Sequence, residues 1–184
     1  MAFRAFIAVD LPNLEAIATL LRELKATSAP LKLVRPEVVH LTLKFLGDTD
    51  ESLIPQIVEA IVAAVDGIPP FSIRLIGTGA FPNLRRMTVL WVGIEGGERL
   101  VAIAGRLEDR LESLGFPRER REFSPHVTVA RVRGGHGLDA VRAVLGARSR
   151  DAFGAATVDR VRLMKSVLTP EGAEYFTLEE VPLR

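Results

Sequence analysis

The sequence contains no cysteine among its 184 residues, and it has only three histidines, one tryptophan and one tyrosine. Without cysteine the chain can form no disulfide, no thiolate metal site and no thiol nucleophile. Acid–base chemistry near neutral pH would therefore depend on His40, His126 or His136, because histidine alone has an unperturbed pKa of about 6.5.

Long apolar runs are also missing. Although 48% of the residues are hydrophobic, stretches such as AIVAAV at 60–65 are far shorter than the roughly 20 residues that span a bilayer. The N-terminal MAFRAFIAVDLP has one arginine, a short apolar run and an Asp-Leu-Pro turn, which is more typical of a first strand than of a cleavable signal. We expect a globular cytoplasmic protein without a membrane helix.

The charge is nearly balanced, with 24 Lys and Arg against 23 Asp and Glu. Proteins that coat duplex nucleic acid by charge are usually strongly basic, so the sequence disfavours that class while it permits a site for one or two phosphates. The local basic runs are Arg85-Arg86 and RERR at 118–121. They would follow an RNA backbone if they flank a cleft, and otherwise they are solvated surface.

Hydrophobic periodicity predicts the order strand, helix, strand, helix, strand in the first half of the chain. Breaks at Gly47-Asp48, Gly67 and Pro69-Pro70 separate the later elements. The predicted segments are, in that order, 3–10, 13–29, 38–46, 53–65 and 71–77.

The second half repeats this order, which indicates duplication. Its predicted segments are 87–94, 100–114, 124–132, 138–145 and 157–167, followed by a C-terminal strand at 173–180 that pairs with 157–167 through the TPEG turn. We expect one two-lobed domain over 1–184, with internal repeats at about 3–76 and 87–164. The fold class is α+β: each lobe is a mainly antiparallel sheet with helices on its outer face, and a cleft separates the lobes.

Two of the predicted strands share a motif, HLTL from His40 and HVTV from His126. Residues two apart in a strand point to the same face, so the His and Thr of each motif share a face while their apolar neighbours face the core. A single histidine in an apolar strand is usually structural. With only three histidines and ten threonines in the chain, chance is a poor explanation for two matching copies.

Two histidines and two hydroxyls that face one cleft suit the acid–base cleavage of a phosphate ester. One imidazole accepts a proton from the attacking oxygen, and the other donates one to the leaving oxygen. The hydroxyls of Thr42 and Thr128 can donate hydrogen bonds to the non-bridging oxygens. Arg131 would add a cation that suits phosphate, but alternation from His126 places residue 130 on this face. Arg131 therefore needs a bulge, or the end of the strand, to reach the cleft.

Other chemistries are less favoured. The motifs contain no carboxylate or third histidine, and threonine is a poor zinc ligand. His136, in the GGHG loop, is expected to be solvated, and GTGAF at 77–81 lacks the lysine and spacing of a phosphate-binding loop. No G-x-S-x-G element indicates a serine hydrolase, and no motif indicates a nucleotide cofactor.

These segments resemble the 2H phosphoesterase superfamily, which is named for its two H-x-T-x motifs. FRAFIAVDLP, HLTLKFLG, SPHVTVAR and SVLTPEGAEY are similar to the bacterial and archaeal RNA 2',3'-cyclic phosphodiesterases, also described as 2'-5' RNA ligases. The resemblance extends from about Arg4 to Tyr175, which is nearly the whole chain.

The resemblance implies that both motifs lie in a central cleft and that a 2',3'-cyclic phosphate at an RNA end is hydrolysed to a 2'-phosphate. It implies that His40 donates a proton to the departing 3' oxygen, that His126 accepts one from water, and that Thr42, Thr128 and Arg131 bind the phosphate. No metal and no cofactor are implied. The residues alone do not say which histidine is the acid.

The partner that this resemblance implies is an RNA with a 2',3'-cyclic phosphate end, such as one derived from tRNA, and not a membrane. Ligation, the reverse reaction with a ribose 5'-hydroxyl in place of water, is expected to be secondary. We expect a monomer.

Two other functions also fit the motifs. One is a non-catalytic module that binds RNA ends, and the other is an enzyme for a small cyclic nucleotide or a 2',5'-linked oligonucleotide. Phe45, Phe81 and Phe123 near the motif ends are candidates to stack on a base, although a core position is the more common role for phenylalanine.

Overall fold

The computed structural model describes all residues 1–184 and contains nine β-strands and four α-helices. The strands are β1 (Ala2–Asp10), β2 (Leu31–Leu33), β3 (His40–Asp50), β4 (Phe71–Pro82), β5 (Met87–Glu95), β6 (His126–Val132), β7 (Ala152–Val158), β8 (Arg160–Thr169) and β9 (Gly172–Pro182). The helices are α1 (Glu15–Ala26), α2 (Ile54–Val65), α3 (Glu98–Glu112) and α4 (Leu138–Ala147).

The strands form two antiparallel sheets. Sheet 1 has the order β3-β1-β8-β9, and sheet 2 has the order β2-β6-β5-β4-β7. In each sheet the strand that begins with a motif histidine pairs with the first strand of its own half of the chain, β3 with β1 and β6 with β5. The predicted α+β fold with two pseudo-symmetric lobes is confirmed.

In each sheet the strand on the other side of β1 or β5 comes from the other half of the chain. β4, from the first half, lies beside β5 in sheet 2, and β8, from the second half, lies beside β1 in sheet 1. The sheets are therefore assembled by exchange between the halves. β2 is an addition to sheet 2, outside β6.

The prediction of one strand over 157–167 is wrong, because the chain leaves sheet 2 at Val158 and enters sheet 1 at Arg160. Val158 and Val161 are both fully buried, and a separation of three residues breaks the two-residue period of a strand. Asp159 lies at this break, where its carbonyl accepts a hydrogen bond from the N–H of Leu183 at 2.8 Å. The hairpin of β8 and β9 is confirmed, since Thr169 pairs with Gly172.

The helices cover the sides of the sheets that face away from the cleft. α2 and α3 pack together and contact strands of sheet 1, whereas α1 and α4 contact strands of sheet 2. α3 buries Leu100, Ile103, Leu107 and Leu111, the spacing of one helical face. A single cluster of 41 buried residues includes positions from both sheets and all four helices, so the lobes share a core. None of the helices has the length and apolar composition that crossing a membrane requires.

Candidate active site

The two motif strands lie against each other where the lobes meet. β3 and β6 are in contact although they belong to different sheets, and His40 and His126 are their first residues. In both strands the His and Thr are half-buried while the apolar residues between and after them are buried. The fold thus brings the two motifs together in the central cleft.

His40 is held by a hydrogen bond at each ring nitrogen. Its Nδ1 lies 2.9 Å from the carbonyl oxygen of Val38, and its Nε2 lies 3.0 Å from Oγ1 of Thr42. A carbonyl only accepts, so Nδ1 carries a proton, and in the neutral imidazole Nε2 accepts the hydrogen bond from the threonine hydroxyl. Burial lowers the pKa of His40, and the bond to Val38 partly opposes this effect.

His126 is held in the same way at only one nitrogen. Its Nδ1 lies 2.8 Å from the carbonyl oxygen of Ser124, so Nδ1 again carries the proton and Nε2 is the basic atom. Nε2 has no hydrogen-bond partner in the protein. Burial lowers the pKa of His126 more than the bond to Ser124 raises it, and the positive charge of Arg131 lowers it further.

A β-bulge brings Arg131 to the same face as His126 and Thr128. Thr128 pairs with Trp91 and Ala130 pairs with Leu90, so Val129 is an extra residue on β6. Val129 and Ala130 are both buried and Arg131 is exposed, which is the change of face that a bulge produces. The carbonyl of Val129 accepts a hydrogen bond from the N–H of Val34 at 2.9 Å.

β3 has the same bulge, with a different residue after it. Thr42 pairs with Ala8 and Lys44 pairs with Ile7, so Leu43 is the extra residue. Phe45 then takes the place on the cleft face that Arg131 takes on β6, and it is 59% exposed. One strand therefore presents an aromatic ring where the other presents a guanidinium.

Aromatic rings surround the two histidines. The ring of His40 lies 5.0 Å from that of Phe6 and 5.2 Å, edge to face, from that of Tyr175. The ring of His126 contacts Phe81 at 4.9 Å, also edge to face. These contacts support the ring orientations that the backbone carbonyls set. Of the predicted stacking residues, Phe81 contacts a motif histidine, Phe45 is exposed, and Phe123 packs against the core.

A tryptophan and an ion pair were missed by the sequence reasoning. Trp91 pairs with Thr128 across β5 and β6, and its ring lies over Gly79, where an added Cβ would come within 2.3 Å of the ring. Asp10, opposite His40 in β1, forms an ion pair with Arg162. A tryptophan that occurs once is the only sequence signal that could have pointed to the first of these.

Lys44 is buried on the inner side of the β3 bulge, with 1% of its side chain exposed. Its Nζ donates to Oε1 of Glu108 at 2.9 Å and to the carbonyl of Pro117 at 3.0 Å. The N–H of Glu119 donates to the other carboxylate oxygen of Glu108 at 3.2 Å. This network ties the first motif strand to α3 and to the loop that leads to His126. A lysine within the apolar run LTLKFL was its signal in the sequence.

None of the remaining predicted residues forms a hydrogen bond or ring contact with His40 or His126. Arg118 forms ion pairs with Asp109 and Glu112 of α3, so its charge is directed to the outer helix. Arg85 and Arg86 form the turn between β4 and β5, where the side-chain oxygen of Asn83 accepts from both N–H groups. His136 is exposed before α4.

Other sites in the structure offer less chemistry. A depression between α2 and α3, with a volume of about 300 Å³, is lined by Val58, Glu59, Val62, Ala63, Asp66 and Arg110, and it contains no histidine. No group of three or more His, Asp or Glu side chains is arranged to hold a metal ion. The motif cleft is therefore the candidate active site.

Known proteins share both the sequence and the fold. The profile of the 2'-5' RNA ligase superfamily matches residues 12–169. A protein of Methanothermobacter thermautotrophicus named RNA 2',3'-cyclic phosphodiesterase is 35% identical over 181 residues, which cover 97% of this chain and 98% of the relative. One of Aeropyrum pernix with the same name is 38% identical over 166 residues, 90% of this chain and 93% of the relative.

A solved structure extends the similarity to three dimensions. A protein of Thermus thermophilus superimposes with a TM-score of 0.77 at 31% identity, over 98% of both chains. The resemblance to 2H phosphoesterases that the motifs indicated is confirmed. With a profile match over most of its length and relatives of this identity, the chain belongs to the 2'-5' RNA ligase superfamily.

Proposed function

We propose that the protein hydrolyses the 2',3'-cyclic phosphate at the end of an RNA to a 2'-phosphomonoester. The observation that carries this proposal is the pair of histidines on neighbouring strands, each held at Nδ1 by a carbonyl two residues earlier, so that Nε2 is the basic atom of each ring. Relatives that carry the name RNA 2',3'-cyclic phosphodiesterase support the same substrate.

His126 acts as the general base in this proposal. Its Nε2 takes a proton from the attacking water, which requires a neutral imidazole at the start. Burial and the nearby charge of Arg131 both lower the pKa of His126, and both therefore favour the neutral form near pH 7. The absence of a protein hydrogen bond at Nε2 leaves this atom available to water.

His40 acts as the general acid and protonates the departing 3' oxygen. It must start protonated, whereas burial lowers its pKa. The bound substrate corrects this mismatch, because the negative charge of the cyclic phosphate stabilises an adjacent imidazolium and raises its pKa. Oγ1 of Thr42 lies 3.0 Å from Nε2 and can accept from the protonated ring until the substrate is in place.

Thr42, Thr128 and Arg131 bind the phosphate in this scheme. Hydroxyl donors on the cleft face stabilise the charge on the non-bridging oxygens, which grows as water attacks. Arg131, brought to the same face as Thr128 by the bulge, adds two donors in a fixed geometry. The scheme assigns no step to a metal ion or cofactor. Ligation follows as the reverse, secondary reaction.

Product analysis tests the proposal. A short RNA ending in a 2',3'-cyclic phosphate is incubated with the protein in EDTA, and the product should end in a 2'-phosphate. A 3'-phosphate product would contradict the assignment of the leaving oxygen. Loss of activity in EDTA with recovery on zinc would replace the proposal with a metallohydrolase, and binding without conversion would leave a module that binds RNA ends.

Three further expectations belong to the same proposal. We propose that the protein works as a monomer in the cytoplasm and that RNA ends derived from tRNA are among its substrates. Light scattering after gel filtration checks the first of these, and a mass near 40 kDa, twice the 20.1 kDa of the chain, would contradict it.

A further inference from the structure

Three cations without carboxylate partners share the cleft-facing side of β2 and β6 at the end of sheet 2. Lys32 is directly opposite Arg131 in the pairing of these strands. Arg133 follows Arg131 by two residues, and its N–H donates to the carbonyl of Pro30 at 2.7 Å, so the pairing continues to it. All three side chains are exposed. We call these residues the cationic strip.

The strand pattern places the strip on the face of the motif. Leu31 and Leu33, on either side of Lys32, pack against the core, as does Val132 between Arg131 and Arg133. Side chains directly opposite each other in an antiparallel pair lie on one face. Arg131 shares that face with His126 and Thr128 through the bulge, so the strip begins beside the catalytic cluster and extends away from it.

The arrangement is unfavourable unless an anion is present. Like charges directly opposite each other in a sheet are destabilising, and none of the three side chains forms an ion pair. Some other basic side chains on the surface do form ion pairs, for example Arg118 with Asp109 and Arg148 with Glu23. A chain of phosphates would supply the missing negative charge.

We infer that Lys32 and Arg133, beside Arg131, bind the phosphodiester groups of the RNA strand that leads to the cyclic end. The inference rests on the proposed function and sharpens its substrate class: the site takes the end of a polymer in preference to a mononucleotide. Lys32 and Arg133 act in binding, whereas the proton transfers remain with the two histidines.

The test compares two substrates in the double variant Lys32→Ala/Arg133→Ala. For an RNA of about ten nucleotides with a 2',3'-cyclic end, kcat/KM should fall about 5–30-fold at low salt, through KM, because two charge-assisted contacts to phosphate are lost at an exposed site. For a 2',3'-cyclic mononucleotide, which has no further phosphates, kcat/KM should stay within about twofold of the unmodified protein on the same argument.

Salt dependence gives a second, sharper readout. Each phosphate contact to a single strand contributes about 0.7 to the slope of log affinity against log salt. The double variant should therefore lower the slope for the RNA by about 1.4. Lys25→Ala/Arg110→Ala removes the same two kinds of charge from exposed positions on the outer helices and should leave the slope unchanged.

Equal losses on both substrates, or an unchanged slope, would overturn the inference. If the alanine variant does not fold, Lys32→Gln/Arg133→Gln removes the charges and keeps more of the side-chain packing. Anisotropy with an RNA that ends in a 3'-phosphate measures binding without turnover. A further outcome is that the unmodified protein binds this RNA with a steeper slope of log affinity against log salt than the double variant and yet converts no cyclic end. That result would support RNA binding by the cationic strip and contradict the proposed hydrolysis.

Discussion

The two motif strands are alike in their backbone and different in what they present to the cleft. Both begin with a histidine whose Nδ1 is held by a carbonyl two residues earlier, and both have a bulge directly after the threonine. After the bulge β3 presents Phe45 and β6 presents Arg131. On the inner side, β3 buries Lys44 where β6 buries Ala130.

A duplicated unit has become an asymmetric site through the residues that surround its two motifs. The repeated backbone preserves two imidazoles of similar orientation, which a two-proton reaction needs. The positions outside the H-x-T-x pattern differ, and they give the two histidines different electrostatic surroundings. We infer that the cation beside His126 and the aromatic rings beside His40 distinguish the base from the acid.

Removing either motif histidine should have the largest effect on activity. His40→Ala and His126→Ala should each lower kcat by about 10²–10⁴-fold, because each removes one acid–base role. Single-turnover rates on an RNA with a cyclic end measure this, with thermal melting as a check on folding. His136→Ala is the matched control, since it removes the third histidine from an exposed loop and should leave kcat unchanged.

The buried side of the β3 bulge can be tested by removing the ion pair of Lys44 with Glu108. Lys44→Met should destabilise the fold by about 3 kcal/mol, because it leaves Glu108 without its buried partner. Urea unfolding measures this change. Lys44→Met/Glu108→Leu should recover most of the loss, since an apolar pair needs no compensation. A double variant as unstable as the single one would show that the hydrogen bond to Pro117, and not the ion pair, carries the stability.

The outer side of the β6 bulge presents Arg131, the proposed phosphate-binding residue, whose positive charge lowers the pKa of His126. Arg131→Ala should lower kcat/KM by about 10–100-fold, in line with the loss of a charge-assisted contact. The positive charge of Arg131 lowers the pKa of His126, so its removal raises that pKa. A base must be neutral, and the rise of kcat/KM with pH should therefore move to higher pH in the variant. A shift to lower pH would contradict the proximity of the two groups.

The smallest effect is expected at Phe45. Phe45→Ala should lower kcat/KM on RNA by about 2–10-fold if the exposed ring stacks on a base, and it should not move the pH profile, because it changes no charge. Phe45→Tyr keeps the aromatic face and should retain most of the activity. An alanine variant equal to the unmodified protein on every substrate would remove Phe45 from the site.

The sequence predicted the four helices, the α+β class and the two histidine strands, because alternation and helical spacing are local properties that a single chain displays. It missed the short strand β2 and merged parts of β7 and β8 into one strand. It could not predict that β4 and β8 exchange sheets, since strand pairing depends on distant partners. The sequence showed only that Arg131 needs a bulge, or the end of the strand, to reach the face of His126. It could not locate the bulge, because an extra residue in one strand is recognised only from its pairing with the neighbouring strand. The Lys44–Glu108 pair, 64 residues apart, was hidden for the same reason.

The most direct test of the two unequal histidines is the pH dependence of kcat/KM on an RNA with a 2',3'-cyclic end. The unmodified protein should give a bell-shaped profile, since the base must be neutral and the acid protonated. In the residual activity, His126→Ala should lose the rise on the acidic side, and His40→Ala should lose the fall on the basic side. If each variant keeps the limb assigned to the histidine that it lacks, the division of acid and base between the two strands is wrong.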